Sequence, residues 1–121
     1  MKHTKQFLLA TRNAFFGILN APKGELNLKI MWVVGTVVFM IAFILPLTNT
    51  QRAIIIGTIF ATISLETLNT ALEKTLDLLH PNKHPQVKLI KDITAGAVLT
   101  FSIGAVIIGL LILFPYLLKM F

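Results

Sequence analysis

The stretch from Ala53 to Asp77 reads AIIIGTIFATISLETLNTALEKTLD. It carries no charge before Glu66. Acidic and amide side chains then come at Glu66, Asn69, Glu73 and Asp77, at spacings of 3, 4 and 4. At roughly 100° per residue those spacings put the four side chains on one stripe of one helix. The segment from Ala53 to Leu72, in which Glu66 is the only charge, has the length that crosses a bilayer, about 20 residues, and crossing carries Glu66 into the membrane. A carboxylate at the bilayer centre costs about 3 kcal/mol or more. An acid kept there at that cost marks function by default.

The flanking sequence supplies two more spans. No charged residue occurs between Lys29 and Arg52, or between Asp92 and Lys119. The chain is 55% hydrophobic, and a soluble domain of 121 residues would need far more charged surface than this one has. The expected fold is all-α and integral to the membrane, with spans at about 30–47, 53–79 and 91–118 in a single domain over 1–121. Residues 4–20 precede them as an expected amphipathic surface helix, with Phe7, Leu8, Phe15, Ile18 and Leu19 on one face and Lys5, Gln6, Arg12, Asn13 and Asn20 on the other. Ala21-Pro22-Lys23-Gly24 ends that helix. Pro46 to Gln51 reads as a tight turn, and His80-Pro81-Asn82-Lys83-His84-Pro85 as a polar loop. Gly96, Thr100 and Gly104, with Ala105 and Gly109, read as a packing seam for a close helix neighbour.

The formal net charge of +6 is not a nucleic-acid signal, because of where it sits. Nine basic residues (Lys2, Lys5, Arg12, Lys23, Lys29, Lys74, Lys83, Lys88 and Lys91) fall before the first span or around the second loop, against two, Arg52 and Lys119, on the other side. The positive-inside rule then predicts a cytoplasmic N-terminus and second loop. The N-terminus lacks the pattern of a cleaved signal. With no cysteine, disulfides and thiolate metal sites are excluded.

The chain has five acids in all, Glu25, Glu66, Glu73, Asp77 and Asp92. Antiparallel second and third spans joined by a short loop bring Glu73, Asp77, Lys91 and Asp92 to one membrane surface, and Glu25 reaches that surface at the head of the first span. Carboxylates, an amide and lysines at a water–lipid boundary suit phosphoryl transfer to a lipid. Two carboxylates can hold a Mg²⁺ that bridges nucleotide phosphates, and a lysine neutralises the transferred group. Glu66 lies about 10 Å deeper than Glu73 along the helix, at the depth for taking a proton from a lipid hydroxyl. Taken singly, each residue has a plainer reading. Glu66 alone fits an ion-coupled transporter, Glu73 and Asp77 a solvated helix end near Lys74, Asp92 a favourable charge at a helix start, Glu25 an interfacial charge, and His80 and His84 a polar loop. No phosphate-binding glycine loop is present, so a nucleotide site has to be made from helix faces and the loop.

The ExxNTALE run from Glu66 to Glu73, with Asp77, His84-Pro85, Lys91-Asp92 and Ala95-Gly96-Ala97-Val98, resembles the signature of the small prokaryotic diacylglycerol kinase family. Ala14, Gly17, Glu25, Asn27 and Lys29 resemble its N-terminal part. The resemblance implies a homotrimer of three-span chains with active sites between subunits, ATP as phosphoryl donor, Mg²⁺ as cofactor and a lipid alcohol as acceptor. It implies Glu66 as general base, Glu25 and Glu73 as metal ligands, and Asn69, Asp77, Asn82, Lys83, His84, Lys91 and Asp92 around the nucleotide. Where the family carries an arginine near the N-terminus this chain has Gln6, so Lys5 and Arg12 are the candidate phosphate contacts. The NTALE segment and the closing Gly109-to-Pro115 run are most similar to the undecaprenol kinase branch, with diacylglycerol as the alternative acceptor. Both lipids present a primary hydroxyl near the headgroup plane, and physics alone does not separate them.

Overall fold

The computed structural model describes residues 1–121 and consists of four helices, α1 (Lys2–Asn20), α2 (Leu26–Ile44), α3 (Asn49–Leu79) and α4 (Pro85–Leu118). Helices α2, α3 and α4 are each long and apolar enough to cross a membrane. Helix α3 packs against both α2 and α4, while α1 packs against none of the spans. Only 13 of 121 residues are buried, and large apolar side chains such as Val33, Leu99 and Leu110 face outward along the spans. That distribution suits a chain whose surroundings are hydrocarbon rather than water.

Each boundary has a local cause. Asn20 Nδ2 donates to Phe16 O at 2.6 Å and Lys23 Nζ to Asn20 Oδ1 at 2.8 Å, closing the end of α1. Gly24 has the chain's one positive φ, 87°, which turns the backbone between α1 and α2 without the strain a Cβ would bring. Helix α2 stops where Leu45 turns extended ahead of Pro46. Thr48 and Gln51 then open α3 with a reciprocal capping box, Gln51 N donating to Thr48 Oγ1 at 3.1 Å and Thr48 N to Gln51 Oε1 at 3.0 Å. Pro81 follows the end of α3, but Pro85 does not stay in the loop as its sequence suggested. It is the first residue of α4, where a missing N–H costs nothing. His84 caps that start, its Nδ1 accepting from Gln86 N at 3.2 Å.

At the end of the bundle far from this loop, Ala42, Leu45, Leu47 and Ile55 form a small buried core. Arg52 donates from Nε to Ala42 O at 2.9 Å, and its guanidinium lies 5.4 Å from the Phe43 ring. Tyr116 of α4 donates to Gln51 Oε1 at 2.7 Å, so α4 is tied to the capping box of α3. Helices α2 and α3 approach closely at Gly35, where an added Cβ would lie 3.0 Å from Ile59 Cγ2. The small residues of α4 do not form a packed seam within the chain. Gly96, Gly104 and Gly109 have open space where a side chain would go, and Thr100, Gly104 and Ala105 line an apolar groove of about 500 Å³ beside Leu65.

Candidate functional site

The middle position of α3 sets up the site, because its polar stripe passes between two packed neighbours. Glu66 is 6% exposed, Asn69 9% and Thr70 4%, the three most polar buried residues of an otherwise apolar bundle. Burying such groups is unfavourable without partners. Asn69 Nδ2 donates to Glu73 Oε1 at 3.3 Å, one turn on, which orients both side chains. Asn69 Oδ1 is buried and has no hydrogen-bond partner. Glu25, Glu66 and Glu73 lie close enough for the other two charges to act on Glu66. Glu25 reaches this group from the head of α2, its Oε1 3.1 Å from Lys74 Nζ on α3.

A second cluster adjoins the first where α3 gives way to α4. Lys91 Nζ pairs with Asp77 Oδ1 at 2.5 Å, joining the two helices across the loop. Asp77, His80, Asn82, Lys83, His84, Lys88 and Lys91 line a cleft of about 680 Å³, within the range of pockets that hold a small ligand. Cations outnumber acids on its wall, as an anionic ligand requires.

The expected residues are thus divided. Glu25, Glu66, Asn69 and Glu73 come together, and Asp77, Asn82, Lys83, His84 and Lys91 come together. Asp92 is turned to Lys88, one helical turn before it, at 2.6 Å, and does not line the cleft. Lys5 and Arg12 are exposed on α1, which brings neither to the site within one chain. Sequence reasoning missed Lys74 as a partner of Glu25, and it assigned no role to Thr70, His80 or Lys88. For His80 and Lys88 the signal was available, since His80 opens the polar loop and Lys88 lies in the first turn after it. For Lys74 it was not, because its partner belongs to another helix.

No three acidic or histidine side chains are drawn together tightly enough to hold a metal by themselves. Mg²⁺ does not require that, since it is commonly held by one or two carboxylates together with substrate phosphates and water. The donors here fit such an ion. Glu25 and Glu73 offer hard oxygens, and the buried unpartnered Asn69 Oδ1 beside them is a further oxygen acceptor.

Comparison with known proteins bears on this geometry. The family described as Prokaryotic diacylglycerol kinase matches residues 12–113. The chain is 38% identical over 111 residues to an undecaprenol kinase of Bacillus subtilis (strain 168), covering 92% of this chain and 87% of that protein. It is 37% identical over 114 residues to a diacylglycerol kinase of Synechocystis sp., covering 93% of this chain and 65% of that protein. It is 29% identical over 111 residues to a diacylglycerol kinase of Pseudomonas aeruginosa, covering 87% of this chain and 90% of that protein.

Proposed function

Because this chain belongs to the prokaryotic diacylglycerol kinase family, we propose that it is the lipid kinase that phosphorylates undecaprenol, with ATP as donor, at the cluster on α3. The observation that carries the choice of acceptor is the 38% identity to an undecaprenol kinase along 92% of the chain. Family membership also decides between a kinase and the transporter that Glu66 alone would allow. Two relatives act as diacylglycerol kinases by name, so diacylglycerol is the second reading.

In this reading the terminal phosphoryl group of ATP passes to the primary hydroxyl of the lipid. The oxygen–phosphorus bond to the lipid forms, the bond to the β-phosphate breaks, and ADP leaves. Glu66, buried and about two helical turns before Glu73 on α3, takes the hydroxyl proton. Glu25 and Glu73 would hold Mg²⁺, and the ion would screen the phosphate charge. Asn69 fixes Glu73 through its amide and keeps Oδ1 free as a further acceptor. Lys91, Lys83, Asn82, His84 and Asp77 position the nucleotide in the cleft, and Lys91 offsets charge on the phosphates. Asp92 acts on that wall through Lys88. The advantage lies in bringing a water-soluble and a lipid-soluble substrate to one boundary in fixed orientation.

The spans form one membrane domain with the N-terminus and the α3–α4 loop in the cytoplasm. Helix α1 lies on that surface with its apolar face in lipid, and three chains assemble so that neighbours close the sites. Its exposed Phe7, Leu8, Phe15 and Leu19, and its lack of contact with the spans, support such a role for α1. In a trimer, Lys5 and Arg12 of α1 can reach phosphates that they do not reach within one chain.

The test is a competition assay. The purified protein in nanodiscs receives radiolabelled ATP with equal amounts of undecaprenol and diacylglycerol. Label chiefly in undecaprenyl phosphate is the expected result. Label chiefly in phosphatidic acid establishes the second reading, and no labelled lipid overturns both.

A further inference from the structure

The ion pair between Lys74 and Glu25 has no part in the roles above. Glu25 is the N-cap residue of α2, yet its side chain accepts no hydrogen bond from its own helix. The free N–H groups and dipole of a helix N-terminus ordinarily draw an acceptor at that position. Here the carboxylate reaches across to α3 and meets Lys74 at 3.1 Å. The chain forms two other ion pairs, Lys91–Asp77 and Lys88–Asp92, which occupy the remaining acids outside the cluster. Lys74 is the cation that the fold sets against the group formed by Glu25, Glu66 and Glu73.

We infer that Lys74 is a placeholder cation, a positioning residue whose ammonium holds Glu25 against α3 until a metal nucleotide arrives and then yields that carboxylate to the metal. The inference rests on the reading of Glu25 as a metal ligand. An ammonium and a divalent cation compete for the same carboxylate oxygens. The side chain of Lys74 is 57% exposed, so the flexible stem is free to swing away. A bare divalent ion has to displace Lys74 with only water to receive the ammonium. A metal nucleotide brings phosphate oxygens that accept it, so every charge keeps a partner through the exchange. The pair therefore disfavours bare metal and favours metal bound to nucleotide. Before binding, it also holds Glu25 close to two like charges.

The experiment measures Mn²⁺ binding by electron paramagnetic resonance, on the full chain in phosphatidylcholine nanodiscs, with and without a non-hydrolysable ATP analogue. Lys74→Gln is expected to bind free Mn²⁺ about five-fold more tightly and Mn²⁺ with the analogue about five-fold more weakly, the size of one partly solvated charge interaction. Lys74→Arg keeps the charge and restores both affinities toward those of the unaltered chain. Glu25→Gln weakens binding of Mn²⁺ with the analogue and removes the effect of Lys74→Gln on free Mn²⁺. Loss of a merely structural lysine would move both affinities in the same direction. The inference is overturned if Lys74→Gln leaves the affinity for free Mn²⁺ unchanged or lowers it while Glu25→Gln still weakens binding with the analogue. Should Glu25→Gln have no effect on that binding, Glu25 is not a ligand, and the reading underneath falls together with the inference.

Discussion

Glu66 and Glu73 share one stripe of α3, but their surroundings differ, and the proposed reading gives them different work. Glu66 is buried beside two other carboxylates, while Glu73 is held by Asn69 nearer the end of the helix. Glu66→Gln is expected to lower turnover by about 10²–10⁴-fold, the range for losing a general base, with little change in binding of an ATP analogue. Glu73→Gln is expected to show its main loss in Mg²⁺-dependent nucleotide binding. Titrating each variant with a fluorescent ATP analogue, alongside its turnover, separates the two roles. Equal loss of nucleotide affinity in Glu66→Gln would make that residue a metal ligand instead. The alignment of these acids was legible in the 3, 4, 4 spacing, because helical geometry is local. The partners were less so. The pairing of Glu25 with Lys74 depends on how α2 meets α3, and no periodicity within either helix encodes that meeting.

At the level of elements, the end of the bundle far from the cleft is fastened by polar groups. Arg52 occupies one carbonyl near the end of α2 and one in the turn after it, donating to Ala42 O and to Leu47 O, and also to Asn49 Oδ1. A cation there satisfies backbone acceptors that lipid cannot. Arg52→Ala is expected to destabilise the fold by about 1–3 kcal/mol, the cost of stranding buried acceptors. Unfolding in mixed micelles with increasing denaturing detergent reads this as an earlier midpoint. Turnover well below that midpoint stays near normal, because the cleft lies at the opposite end. The sequence singled out α4 as the close-packing helix, from its small residues. Within the chain the close approach instead falls at Gly35, between α2 and α3. Small residues at regular spacing permit a close neighbour but do not say which helix supplies it.

For the whole molecule, the charge asymmetry predicts a direction across the bilayer, and the absence of cysteine makes that prediction simple to test. Asn82→Cys, in the α3–α4 loop, is expected to react with a membrane-impermeant maleimide only after cells are opened, whereas Asn49→Cys, at the α2–α3 turn, should react in intact cells. The reverse pattern would put the cleft on the side without ATP. Sequence alone determined that the chain has three apolar spans, where the chain breaks between them, and that its acids crowd one helix. Those properties follow from composition and from regular backbone geometry within a segment. Tertiary structure decided which helix is central, that Glu25 crosses to Lys74, that Asp77 takes Lys91, and that Asp92 turns away to Lys88. Such pairings depend on the rotation and separation of whole helices. These are set by the sum of many weak contacts such as those at Gly35, none of which leaves a periodic trace along the chain.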